Sequence, residues 1–213
     1  MIVRHDVDVE SIGTMAALPE DMSPLQIGAE GDYQGQRFGI IGRMKIGWED
    51  GVWNEWFILT DTGREGWLAE AQGFYAVCFA SDYNLPANFY RMIRAYLGET
   101  EQIQKAEPYP YGTEIIINLR RPDSGQLKLG SYLMLGNKKF RIVDIKQASC
   151  RGSEGELPFP APVGKQFISV DLLGGVGEFA SVELEDGKLR LHTGHYLEWD
   201  ELRCINTRPL EHW

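Results

Sequence analysis

Leu25-Gln26-Ile27-Gly28, followed by Phe38 and Ile40-Ile41, returns later in the chain as Leu127-Lys128-Leu129-Gly130, followed by Phe140 and Ile142-Val143. The matched residues stand 102 positions apart. Between them, Gly35-Gln36-Arg37-Phe38 is answered by Gly136-Asn137-Lys138-Lys139-Phe140, with a one-residue slip at the inner glycine. In each copy a short strand ends at a glycine, a second runs to a tight turn, and a third alternates Phe, Ile and an aliphatic residue. That is the start of a β-meander. β-Hairpins converge on such patterns, but one offset shared across the match favours duplication of a small β unit. A solenoid would need many shorter repeats.

Working outward, Asp50-Gly51, Gly174-Gly175 and Asp186-Gly187 are hairpin signals between apolar runs, and Asp61-Thr62-Gly63 marks a further turn. The first copy predicts strands near Gln36–Gly47, Val52–Thr60, Gly66–Glu70 and Phe74–Ala80. The second predicts Gln166–Leu172, Glu178–Leu184, Lys188–His192 and Tyr196–Cys204, after a long loop over Cys150–Lys165 that contains Pro158, Pro160 and Pro162. One helix is expected over 86–97. Phe89, Met92, Ile93, Tyr96 and Leu97 form a single stripe, with Pro86 placed for its first turn and Gly98 for its end. That stripe reads as core rather than as a partner face. Further strands are expected at Ile2–Val9 and Thr113–Leu119, with a connector over Glu99–Pro110. The fold class is therefore all-β: two related small antiparallel barrels or rolls with one linking helix. The divisions are an N-terminal segment 1–24, copy one over 25–84, helix and connector over 85–110, and copy two over 111–213.

Composition removes several functions. The formal charge is −10, and no Lys/Arg cluster is denser than the pairs Arg120-Arg121 and Lys138-Lys139. Nucleic-acid binding needs a basic surface to displace counterions from phosphates, so it is not expected. An acidic chain attracts a cationic ligand or a basic partner surface. Cys78, Cys150 and Cys204 form neither a disulfide framework nor a CxxC knuckle, so reduced thiols in a cytoplasmic protein are the expectation. The start, Met1-Ile2-Val3-Arg4-His5-Asp6, is charged where a signal peptide is apolar, and no apolar run is long enough to span a membrane. Neither a Gly-x-Ser-x-Gly elbow nor a phosphate loop is present, and Gly174-Gly175-Val176-Gly177 has no following helix to hold phosphate. No catalytic residue and no cofactor is implied.

The richest chemistry lies in copy one: Trp48, Trp53, Glu55, Trp56, Trp67 and Glu70. If Asp50-Gly51 forms a two-residue turn, Trp48 faces Trp53, Ile46 faces Glu55, Met44 faces Phe57 and Gly42 faces Leu59. These share one face, with Arg43, Lys45, Trp56 and Ile58 on the other. A carboxylate among Trp, Ile and Met side chains is desolvated, and its pKa rises unless a cation offsets the loss. One reading is a cation pocket with tryptophan faces supporting a carboxylate. The other is a Glu55 at the sheet rim, capping a backbone amide or pairing with Arg43 or Arg64. His192-Thr193-Gly194-His195 near Glu198, Asp200 and Cys204 offers metal-ligand chemistry. Gly194, however, suggests a turn and a polar hairpin tip, and alternation keeps His195 off the face of Glu198 and Asp200.

Ser23-Pro24-Leu25-Gln26-Ile27-Gly28, Phe38-Gly39-Ile40-Ile41-Gly42-Arg43, Trp53-Asn54-Glu55-Trp56 and Gly66-Trp67-Leu68-Ala69-Glu70-Ala71-Gln72-Gly73 resemble a bacterial family known as domain of unknown function 4178. Glu178-Phe179-Ala180-Ser181-Val182-Glu183 and the run from Leu191 to Leu202 are similar to the second half of its longer members. The resemblance spans about 10–205. It implies no activity. Relatives often carry a four-cysteine zinc ribbon ahead of a segment like Val3–Val9, and this chain begins where such a ribbon would end. Their genes tend to lie near those for polyamine-forming enzymes, small membrane proteins and phage-shock-type coiled-coil proteins. That setting implies, by association alone, an indirect membrane link through a partner. The preferred expectation is a non-catalytic binding or adaptor module that recognises a partner protein through an aromatic and acidic groove. The alternatives are a binder of a small polyamine-like cation, and a metal-dependent enzyme using His192 and His195.

Overall fold

The computed structural model describes residues 23–98 and 127–209. The expectations for Ile2–Val9, Glu99–Pro110 and Thr113–Leu119 lie outside the described residues. The strands are β1 (Glu30–Tyr33), β2 (Gln36–Trp48), β3 (Gly51–Thr60), β4 (Glu65–Ala71) and β5 (Phe74–Ala80), then β6 (Tyr132–Leu135), β7 (Lys138–Gly155), β8 (Gln166–Leu173), β9 (Glu178–Glu185) and β10 (Lys188–Leu197). Helix α1 (Phe89–Tyr96) lies between the two sets, and α2 (Trp199–Leu202) follows β10.

The all-β expectation holds. The strands run in the order β1-β2-β3-β4-β5-β10-β9-β8-β7-β6, and β2 also pairs with β7, so eight of them close into one antiparallel barrel. Both halves of the chain share this barrel through two seams, β5–β10 and β2–β7. Closure removes the exposed edges that two open sheets would leave. The seams need close backbone approach, and glycine permits it. A Cβ on Gly194 would lie 1.8 Å from the Val77 carbonyl oxygen, and one on Gly42 would lie 1.9 Å from that of Glu156. Gly194 is therefore mid-strand rather than a turn: β10 runs unbroken through it. The chain after Leu197 turns into α2 instead of continuing as a strand to Cys204. Likewise β7 continues to Gly155, through residues expected as loop.

Pairing repeats along the chain. β1 meets β2 as Glu30↔Gly39, and β6 meets β7 as Tyr132↔Arg141. A β-bulge interrupts β2–β3 between Ile40 and Gly42, and another interrupts β7–β8 between Ile142 and Asp144. Gly28 N–H donates to the Ile40 carbonyl (2.9 Å), and Gly130 N–H to that of Ile142 (2.8 Å). The halves differ at one connection. β2–β3 is a tight turn at Glu49-Asp50, whereas β7–β8 is a long loop over 156–165.

The outer wall carries two apolar clusters. On the first half, Leu25, Phe38, Ile40, Trp56, Ile58, Leu68 and Val77 pack with Leu202 of α2. On the second half, Phe140, Ile142, Leu172 and Val182 pack with Phe89 and Ile93 of α1. The helical stripe is thus core, as expected. The helix starts later than 86 because the Pro86 carbonyl instead accepts the Phe89 N–H in a turn (2.8 Å). With the outside packed this way, the inward-facing positions need not supply the main core. One end of the barrel is filled: Leu157, Phe159 and Ala161 of the long loop pack against Met44, Ile46, Phe57 and Trp67. Phe159 stacks at 5.9 Å on Trp67, and the Arg190 guanidinium lies 5.1 Å over Phe159. Among the described residues the other end is open.

Candidate functional site

The first hairpin turns at Glu49-Asp50, one residue earlier than Asp50-Gly51, which moves every cross-strand partner by two. Trp48 pairs with Gly51, Ile46 with Trp53, Met44 with Glu55 and Gly42 with Phe57. A shift of two residues keeps every side chain on its face, so the predicted grouping survives a wrong register. Gly42 thus meets Phe57 rather than Leu59, and beyond the bulge at Ile41 Leu59 meets Gly39.

The shared face of Trp48, Trp53, Glu55 and Trp67 looks into the barrel. There these residues border a cavity of about 820 Å³ that opens at the end of the β2–β3 and β4–β5 hairpins. An eight-stranded barrel has room for side chains or for one small ligand, and small residues leave that room here: Ala69 on β4 and Ala76 on β5. The opposite wall is polar. β7 contributes Asp144 and Lys146, β8 Ser169 and Asp171, β9 Ser181 and Glu183, and β10 His192 and Tyr196. Counting Glu198 and Glu201 near the mouth, six carboxylates and one lysine among the described residues line the cavity.

Two networks organise it. Deep in the barrel, Glu183 accepts from the Arg190 guanidinium (3.3 Å), which also meets Glu185. Near the mouth, Lys146 Nζ lies 2.5 Å from Asp144 Oδ2 and 3.6 Å from Asp171 Oδ2. The hydroxyls of Ser181 (3.1 Å) and Ser169 (3.3 Å) donate to Asp171 Oδ1. The same ammonium stands 5.0 Å from the Trp48 ring centroid and 5.6 Å from that of Trp53. Trp53 Nε1–H donates to Glu55 Oε1 at 2.7 Å.

The electrostatics follow from this crowding. Burial, then the charges of Glu183 and Asp171, push the Glu55 carboxyl up to about 8, against the pull of Trp53 and Lys146. Burial also raises Asp171 and Glu183. Burial and the charge of Arg190 hold His192 down to about 4, so its imidazole is neutral at physiological pH. A titratable cluster held away from its ordinary values in a cavity makes this the candidate site of the molecule.

The other residues of the expected groove are elsewhere. Trp56 and Glu70 point outward, under the packed segment at Ser23–Leu25. Trp56 is fully buried, and Glu70 is only 7% exposed. Glu70 Oε2 accepts from Trp56 Nε1 (2.9 Å), Asn54 Nδ2 (3.0 Å) and Ser23 Oγ (2.7 Å). Arg43 closes the network on Asn54 Oδ1 (2.8 Å), with its guanidinium 4.7 Å over Trp56. This pair is structural. Glu55 makes no contact with Arg43; that arginine bonds Asn54 and Glu154 on the outer face. His192 and His195 also separate. Three residues apart on a continuous strand, one lines the cavity, while the other meets Tyr33 Oη at 2.8 Å outside it. Among the described residues, no group of three or more His, Cys, Asp and Glu is arranged to hold a metal. No described helix is long and apolar enough to cross a membrane.

The polar wall opposite the tryptophans carries no signal in the sequence that marks it as a site. Asp144-x-Lys146, Ser169-x-Asp171 and Ser181-x-Glu183 alternate with apolar residues, as any half-solvated strand does. The polar side of these strands turned out to be the inside.

The family profile described as domain of unknown function (DUF4178) matches residues 26–199. The chain belongs to this family. No curated protein and no solved structure matches it. The DUF4178 match takes in every barrel strand and ends within the turn into α2, so the cavity is built almost wholly from family sequence.

Proposed function

We propose that this DUF4178 protein binds a small organic cation, an amine, inside its barrel. The observation that carries the reading is the cavity itself: tryptophan faces at the mouth, carboxylates along the walls, one closed end. Tryptophan faces attract ammonium groups, most strongly where both are desolvated. A cation would also relieve the crowding that keeps Glu55 protonated. The test is thermal melting with spermidine, putrescine and cadaverine. At a hundredfold excess over Kd a ligand stabilises by about 2.7 kcal/mol, which for a domain of this size is a rise of about 5–10 °C. The Glu55→Gln, Trp53→Ala double variant is expected to fold normally and lose that rise. The absence of any shift at 10 mM amine in the wild-type protein would end the proposal.

The adaptor reading keeps one specific support. The tips that ring the mouth carry exposed apolar side chains: Val52, Phe74 and Val176. Such a rim suits a partner protein that feeds a lysine or arginine side chain into the same cavity. Replacing Phe74 and Val176 together by serine, which removes the apolar rim without adding charge to the mouth, is then expected to abolish capture of the partner from native-cell extract while amine binding persists. Loss of neither would remove the adaptor reading.

We further propose that the two halves are diverged copies of one unit. The matched bulges, paired registers and turn bonds support this, since bulges are placed features rather than accidents. On that reading the barrel began with two equivalent mouths, and the 156–165 loop of the second copy filled one of them.

A further inference from the structure

We propose that Lys146 is the cavity's built-in occupant, and that the ligand is a straight-chain alkyl ammonium that takes the lysine's place between Trp48 and Trp53. This rests on the amine-binding reading above and names the chemistry that the site prefers.

The argument is geometric. Four groups converge on one ammonium: the two indole rings, Asp144 and Asp171. They come from β2, β3, β7 and β8, so the barrel wall builds the cage and Lys146 only enters it. The lysine side chain is 17% exposed, so its methylene stem and charged head are already largely removed from water. The cage is thus shown to replace the hydration of a primary ammonium on a four-carbon stem. Asp144 and Asp171 hold the head, and the Ser169 and Ser181 hydroxyls hold Asp171.

Lys146 has the freedom to leave. Its long stem is flexible, and an expelled lysine head recovers full hydration. An incoming ammonium would restore the contacts that the lysine gives up, so neither aspartate is left unpaired during the exchange. A methylene chain behind the incoming head would extend past Ala69 and Ala76 towards Glu55 and Glu183, where a second ammonium finds carboxylate. Diamines therefore fit better than monoamines of the same length. A quaternary ammonium head carries no N–H to give to Asp144 and Asp171 and so does not copy the donor that Lys146 presents.

Cadaverine, which carries the lysine stem and head, is the probe. In Lys146→Met the stem volume is kept and the competing charge is gone. Cadaverine is expected to bind that variant at least tenfold more tightly than wild type by calorimetry, whereas Lys146→Arg keeps the cage filled and binds no better. Equal or weaker binding by a folded Lys146→Met overturns the inference and leaves the amine reading standing if wild type binds. If none of the three proteins binds at 10 mM, both fall. A second readout needs no variant. The Cε–Hε resonances of Lys146 in lysine-labelled protein, displaced by the ring currents of Trp48 and Trp53, are expected to move to the values of a solvent-exposed lysine when cadaverine is added. Resonances that keep their ring-current displacement in the presence of bound cadaverine would mean that the ligand sits beside the lysine, which overturns the exchange.

Discussion

Replacing Glu70 by alanine is expected to cost about 3–5 kcal/mol of folding stability, a fall in melting temperature of about 10 °C or more, while amine binding by the remaining folded protein is unchanged. Glu70 Oε2 is the acceptor for Trp56, Asn54 and Ser23 at once. Its removal strands three buried donors, each costing about 1–3 kcal/mol unless water reaches it. It also deletes the negative group from a network that holds the buried Arg43. Glu70→Gln keeps an acceptor oxygen and should lose markedly less. Urea unfolding of the three proteins, with a cadaverine titration of each, checks this. A Glu70→Ala protein with wild-type stability and lost amine binding would return Glu70 to the ligand site and contradict the outward placement.

The second large effect concerns Glu55, and its sign depends on pH. The carboxyl is raised to about 8 in the fold, from an ordinary value of 4.5. Below 4.5 both folded and unfolded chains hold the proton, and the contribution to stability is fully present. Between 4.5 and 8 the unfolded chain releases the proton while the folded one keeps it, so stability falls steadily. Above 8 both are ionised and the loss is complete. Glu55→Gln, always neutral, escapes the fall. It is expected to melt with wild type at pH 4 and several degrees higher at pH 9, a gap of about 1–3 kcal/mol once the solvent in the cavity is allowed for. His192 acts in the opposite direction. Held down to about 4, it stabilises the fold above its ordinary pKa and withdraws that support as the pH falls towards 4. Because both proteins keep His192, its effect cancels in the comparison. A gap that is constant from pH 4 to pH 9 would mean that Glu55 is not desolvated.

These two residues show where sequence reasoning reached and where it stopped. Glu55 and Glu70 were read as one acidic groove because both stand beside tryptophans in adjacent strands. Alternation could have divided them: Trp56 is one residue from Glu55, hence on the other face, and Glu70 is the direct neighbour of Asn54 in the β3–β4 pairing. The β3–β4 register decides this, and Asp61-Thr62-Gly63 marks the turn between the two strands without fixing its length. Gly194 is ambiguous in the sequence for a related reason. Glycine in a strand signals either a turn or a close backbone approach, and only the neighbouring strand β5, more than a hundred residues away in sequence, decides between them.

What the sequence by itself determined is local: the strands, their turns, the helix, the matching patterns 102 residues apart, and the grouping of Trp48, Trp53 and Glu55 on one face. Side-chain alternation and glycine turns act over a few residues, so a few residues suffice to read them. What only the tertiary structure decided is which face is inside. Two seams between distant strands, β5–β10 and β2–β7, roll the halves into a single barrel, and closure turns a polar stripe that would otherwise meet solvent into the wall of an acidic cavity. Strand pairing across such distances is set by the fit of whole surfaces, and that information is spread over the entire chain rather than held in any one segment.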